Sequence, residues 1–471
     1  MRLLPLASAI ILGLLTGCAS TTPAPSAGAK NILFFLGDGM GVSTITAARI
    51  YAVGENGQLA LDTLPYSASV KTYSRDAQVT DSAAGMSTYM TGVKVNNNVL
   101  SMSGETIAAA PLADANGNKQ VSACTNGAPA PTLLELARRR GQAVGVVTTT
   151  RITDATPAAT YAHACHRGAE SEIAAALVPG GAGYNGALGD GVDVILGGGS
   201  RAFIGAGKGG KRADGRDLLA EMGARGYRVV TDSAQLTSTT PRAGQKLIGL
   251  FAPANLSFEA LRDPAKEPGL AEMTSAAIAQ LSTNPNGFFL MVEGGQIDVA
   301  LHATNAKRAL QETASFDQAI ATAIARMQVI DPGLKHTLIV ATADHDHSLQ
   351  INGYSPRTGK TTAEAPGVLG LARNMDGKLR LDAEGMPYTI LSFGTGEHRE
   401  PGSRASAAPL TDAIVAADDY HQEAAVRSGK GGEAHGGANV FLGALGAGAE
   451  RFHGTIENIA VFDLIRGASG L

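Results

Sequence analysis

Short, nearly uninterrupted apolar runs constrain this chain more than any other feature. Residues 31–36 (NILFFL), 143–147, 287–292 (GFFLMV) and 337–341 (TLIVA) lack the alternation of a strand with one wet face, and 192–196 reads as a further buried strand. Strands buried on both faces belong to largely parallel sheets covered by helices on both sides. The intervening segments supply those helices. Residues 131–140 open on Pro131 and stop before Gly141, and Leu270–Leu281 and 307–327 carry apolar residues at helical spacing. The expected class is therefore α/β, and 471 residues suit one large core with insertions.

Chemistry-bearing residues follow the strands, at the edge where open α/β sheets gather ligands. Asp38 lies in GDGMG (37–41), directly after 31–36, and that loop lacks both the dinucleotide spacing and the P-loop lysine. Glu293 directly follows 287–292, and Asp298 and His302 stand four apart, on one side of a helix. Asp344, His345 and His347 crowd into TADHDH (342–347), where clustered acids repel unless a cation sits among them. Asp154, Thr156 and Arg167 lie in a polar stretch after 143–147, and His435 lies in a glycine-rich loop. Ser82, behind Asp81 at a loop-to-helix junction, is the candidate nucleophile, and an ordinary N-cap is the competing reading of that pair. Imidazole with carboxylate suits zinc, whereas carboxylates with a threonine hydroxyl suit magnesium. A net charge of −4 and 5% aromatic residues offer no basic stripe for nucleic acid, so a small-molecule partner is expected.

Residues 1–17 form an export signal, one Arg ahead of an apolar run too short for a comfortable membrane span. LTGC at 15–18 resembles a bacterial lipobox, which implies cleavage before Cys18 and lipid on its thiol; a plain secretory peptide is the alternative. Residues 18–30 read as a flexible tether, and 31–471 as the catalytic domain with an insertion at about 353–432. The expected location is the periplasm, with membrane contact only through Cys18. Cys124 and Cys165 remain, as a disulfide or as separate buried thiols.

Six motifs in order, GDGMG, VTDSAAGMSTYMTGVK, VTTTRITDATPAATYAH, FFLMVEGGQID, TADHDH and GEAHGG, resemble those of the alkaline phosphatases. The resemblance implies hydrolysis of phosphate monoesters through a phosphoserine at Ser82, with Arg167 gripping the phosphate. It implies one zinc on Asp298, His302 and His435, and a second on Asp38, Asp344 and His345. It implies magnesium on Asp38, Thr156 and Glu293, with Asp154 reaching it through water, and His347 orienting a zinc-bound carboxylate. It implies a homodimer, and makes the 353–432 insertion crown-like. Two departures stand out: Val299 replaces the lysine or histidine usual after the zinc aspartate, and Ala252 replaces the acid of the mammalian calcium site. A sulfatase would need proline and arginine two and four positions after the nucleophile, where Ala84 and Met86 stand. A phosphodiesterase of the same superfamily, or a non-catalytic envelope protein binding metal or phosphate, remains as an alternative function.

Overall fold

The structure, a computed structural model, describes residues 28–112, 124–399 and 402–471. The expected export signal, Cys18 and most of the expected tether lie outside the described residues. Eight strands precede the TADHDH motif or lead into it: β1 (Asn31–Gly37), β2 (Tyr66–Lys71), β3 (Ala143–Arg151), β4 (Val194–Gly198), β5 (Tyr227–Val230), β6 (Lys246–Leu250), β7 (Phe288–Gly294) and β8 (Thr337–Thr342). One closes the motif, β9 (Asp346–His347), and six follow: β10 (Leu349–Ile351), β11 (Leu391–Gly396), β12 (Ala424–Arg427), β13 (His435–Gly436), β14 (Val440–Gly446) and β15 (Gly454–Glu457). Ten of these form the central sheet, in the order β15-β2-β14-β8-β1-β7-β3-β4-β6-β5. Only β14 runs against its neighbours, β2 and β8; the other pairings are parallel.

Both faces of the sheet are covered. Phe34 and Phe35 are consecutive on β1 and so point to opposite sides. Phe34 packs on Tyr89 of helix Ser82–Thr91 with ring centroids 5.8 Å apart, and Phe35 meets Phe316 of helix Ala306–Ile330 edge-on at 6.1 Å. Burying each ring contributes roughly 2–3 kcal/mol. That packing fixes β1, and with it the loop carrying Asp38.

Several elements differ from the sequence reading. The helix expected over 131–140 spans Leu133–Arg139, because Thr132 caps it and Glu135 closes a capping box, leaving Pro131 outside. Segment 200–244 reads as surface decoration holding one candidate strand, Tyr227–Val230, and that strand is present as β5, paired with β6 at the edge of the sheet. The helix expected to run on from Asp298 is two helices, Gln296–His302 and Ala306–Ile330. Thr304 between them takes φ +54°, a left-handed conformation that no helix continues through. Within 353–432, β11 and β12 join β10 in a separate three-stranded sheet. Cys124 and Cys165 form a disulfide, with Cα atoms 5.4 Å apart. Among the described residues no helix is long and apolar enough to cross a membrane.

Candidate active site

Parallel register brings the candidate residues level. Leu36 on β1 faces Glu293 on β7 and Thr342 on β8, so Asp38, Glu293 and the Asp344–His345 pair emerge at one edge. On the next strand Thr148 faces Glu293. Its hydroxyl donates to Glu293 Oε2, and Thr150 Oγ1 donates to the same oxygen at 3.1 Å. Helix Ala155–Tyr161 then begins with Asp154 as its cap and Thr156 in its first turn, and Thr156 Oγ1 lies 3.3 Å from Asp38 Oδ2.

Ser82 opens helix Ser82–Thr91 behind Asp81, whose Oδ1 accepts from Ala84 N–H at 3.0 Å. The N-cap reading of this pair is thus correct as far as Asp81 goes. The same cap projects Ser82 Oγ to 3.3 Å from both Asp38 Oδ1 and His345 Nε2. Arg167 stands beside them: Nη1 donates to Asp81 Oδ2 at 3.1 Å and Nη2 to Asp154 Oδ1 at 3.2 Å. Asp154 Oδ2 takes a second guanidinium, that of Arg151, at 2.7 Å. Arg167 keeps 28% of its side chain exposed, enough to meet a ligand from solvent.

Whether these residues suit a cation can be tested on their protons. His302 Nδ1 faces the Glu433 carbonyl at 2.6 Å and His435 Nδ1 faces the Thr80 carbonyl at 3.0 Å. Carbonyls only accept, so in neutral rings each Nδ1 carries the hydrogen and each Nε2 presents a lone pair. Those two Nε2 atoms are 3.1 Å apart, with Asp298 Oδ1 at 3.3 and 3.6 Å. Lone pairs converging with a carboxylate at that range need a cation between them. His345 Nδ1 likewise faces the Asp346 carbonyl, and its Nε2 lies 3.3 Å from Asp38 and 3.4 Å from Asp344. Asp344 Oδ2 and Glu293 Oε1 are buried without a hydrogen-bond partner. The donor set therefore fits metal ions.

The proton affinities of the protein alone reflect the same imbalance. Burial, then the Asp38 charge, pushes Glu293 well above the usual carboxylate range and Asp344 up to about 7. Burial would depress His345, but Asp344 and Asp38 lift it to about 9. Burial, reinforced by His345, drops His435 to about 2.

Donor atoms of Asp298, His302, His347 and His435 lie within 4.8 Å of one another, as do those of Asp38, Asp298 and His345. All the candidates named from the sequence thus meet at one sheet edge. Sequence reasoning missed Thr148 and Thr150, which hold Glu293, and the second role of Asp81 beside Arg167. A register table of β3 against β7 would have found the threonines; no local signal marks Asp81. Val299 is half-buried and offers no polar atom. Ala252 is buried, and Glu267, an acid farther along the chain, accepts from Ser257 N–H at 2.7 Å.

The chain matches the family model described as alkaline phosphatase over residues 29–471. An alkaline phosphatase of Gadus morhua is 36% identical over 460 residues, covering 91% of this chain and 89% of that one. The tissue-nonspecific isozyme of Gallus gallus is 34% identical, covering 91% and 82%. The solved alkaline phosphatase of Thermus thermophilus aligns with a TM-score of 0.67 at 26% identity, covering 98% of this chain and 96% of that one. Similarity this extensive means that the chain belongs to the alkaline phosphatase family and is a phosphomonoester hydrolase.

Proposed function

We propose that hydrolysis proceeds by transfer of the phosphoryl group to Ser82. The observation that carries this reading is the position of Ser82 Oγ, 3.3 Å from both Asp38 Oδ1 and His345 Nε2, at a helix N-terminus beside Arg167. Asp298, His302 and His435 would hold one zinc ion, and Asp38, Asp344 and His345 a second. Asp38, Thr156 and Glu293 would hold magnesium, with Asp154 contacting it through water. When bound, these ions supply Lewis acidity that makes the serine alkoxide accessible and neutralises the leaving oxygen.

The protein's own groups do the rest. Free N–H groups at the start of helix Ser82–Thr91 and the Arg167 guanidinium attract and orient the phosphate, Arg167 through two parallel donors. To do so, Arg167 exchanges its contacts with Asp81 and Asp154 for phosphate oxygens. Ser82 Oγ bonds phosphorus as its proton passes to solvent, and the ester oxygen leaves with the bonding pair and takes up a proton from solvent, so the alcohol is released and the proton count is unchanged. Water then bonds phosphorus, the Oγ–P bond breaks, and Oγ regains a proton. The cationic guanidinium favours a monoester, whose dianion carries about twice the charge of a diester. The Cys124–Cys165 disulfide agrees with export to an oxidising compartment.

The test is Ser82→Ala. Turnover of an aryl phosphate monoester should fall by at least about 10³-fold with zinc content unchanged, since the nucleophile is lost and the binding groups are not. Wild-type protein that cleaves the diester faster than the monoester would overturn the assignment.

A further inference from the structure

Glu433 is a buried carboxylate that this mechanism does not use. Its side chain is 0% exposed, and its ion-pair partners among the described residues are two imidazoles, His347 and His302. A carboxylate taken out of water costs several kcal/mol unless it is fully partnered. Glu433 Oε1 accepts from Ser348 N–H at 2.8 Å and from the Ser348 hydroxyl, and Oε2 takes His347 Nδ1. His347 Nε2 in turn reaches Asp298 Oδ1 at 2.8 Å. Both ring nitrogens of His347 are therefore engaged by carboxylates, which leaves neither free for a metal.

The backbone of Glu433 acts on the same cluster. Its carbonyl receives His302 Nδ1 at 2.6 Å, fixing the ring so that Nε2 faces Asp298. Two residues on, His435 opens β13, which pairs with β9 so that His435 lies opposite His347. The hydroxyl of Ser348 also accepts from Gly394 and Thr395 N–H, tying the clamp to β11 of the insertion.

Resting on the two-zinc reading above, we propose that Glu433 is the positioning residue of the Asp298–His302–His435 site, acting through His347 on Asp298 and through its carbonyl on His302. Partners of this kind, one bond behind the ligands, set ligand orientation and basicity. A plain loop staple between Glu433 and Ser348 is the competing role.

The test compares Glu433→Ala, Glu433→Gln and Ser348→Ala with the wild-type protein. Zinc affinity is read by competition with a chromophoric chelator, and site geometry by the visible spectrum of the cobalt-substituted enzyme. Glu433→Ala should weaken one of two zinc equivalents by about 10–100-fold and alter the cobalt spectrum. Glu433→Gln should restore most of that affinity, because its amide still reaches both His347 and Ser348. Ser348→Ala, which removes the hydroxyl arm of the staple but neither the backbone N–H bond nor the imidazole contact, should leave zinc affinity near wild type. Should Glu433→Ala not fold, Glu433→Asp, one methylene short of His347, carries the same expectation. Unchanged zinc affinity in Glu433→Ala, or an equal loss in Ser348→Ala, overturns the proposal while leaving the two-zinc reading intact. Wild-type protein that binds no zinc overturns both.

Discussion

Val299 follows Asp298 on helix Gln296–His302, and its side chain has nothing to offer an oxyanion. Replacing it by lysine adds a cation one residue from a candidate metal ligand. At a partly exposed position such a charge is worth about 0.5–1 kcal/mol, so Val299→Lys should lower the inhibition constant for inorganic phosphate by about two- to five-fold. Unchanged product inhibition would show that the position does not face phosphate. Asp81 carries two jobs that substitution can separate. Its Oδ1 caps helix Ser82–Thr91, and its Oδ2 holds Arg167 and receives Asn98 N–H at 3.1 Å. Asp81→Asn keeps an acceptor for the cap, whereas Asp81→Ala removes it at a cost of about 1 kcal/mol. Denaturant unfolding should therefore place the alanine variant below the asparagine variant.

Helix Leu133–Arg139 joins a sequence pattern to a long-range contact. Glu135 closes its capping box through Thr132 N–H and also receives His163 Nε2 at 2.7 Å, while His163 Nδ1 meets the Ser101 carbonyl. Burial alone would depress His163, but the hydrogen bond and charge of Glu135 outweigh it and hold the imidazole above its ordinary value. A raised imidazole contributes stability that is fully present below about pH 6.5, its unfolded value, and is lost as pH rises through the folded value. Burial opposes ionisation of Glu135 as well, yet its bonds to His163 and Asn185 hold it low, so its share is lost only as pH falls. The deficit in thermal midpoint of His163→Gln should thus be widest near about pH 6 and narrow under alkaline conditions. A deficit constant with pH would mean that the contact is neutral.

Legibility in the sequence followed the same division between local and long-range. β1, β7 and β8 could be read because each is a buried apolar run, and the acids after them follow from that placement. β2 could not, since YSASVK carries exposed positions, nor could β6, whose KLIGL is short and broken by Gly249. Thr148 and Glu433 were invisible as site residues because each acts through a partner more than 80 positions away in the chain.

The candidate ligands run from Asp38 to His435, across strand ends and across segment 353–432, so cations held there would tie distant parts of the molecule together. Any ligand bound only by the folded state stabilises it by RT ln(1 + [L]/Kd), about 4 kcal/mol per site at a thousand-fold excess. Chelation should accordingly lower the thermal midpoint by on the order of 10 °C, with zinc and magnesium restoring it. A control of opposite sign distinguishes this from chelator damage. Asp344 keeps Oδ1 bonded to Gly39 N–H at 3.1 Å, while Oδ2 is buried with no hydrogen bond, 3.4 Å from His345 Nε2. Asp344→Asn preserves that bond and removes one of the crowded charges. The variant should melt above wild type when both are stripped of metal, because repulsion from Asp38 is relieved, and below it when both are loaded, because a ligand oxygen is gone. A shift in the same direction under both conditions would mean that the acids at this edge are balanced without a cation.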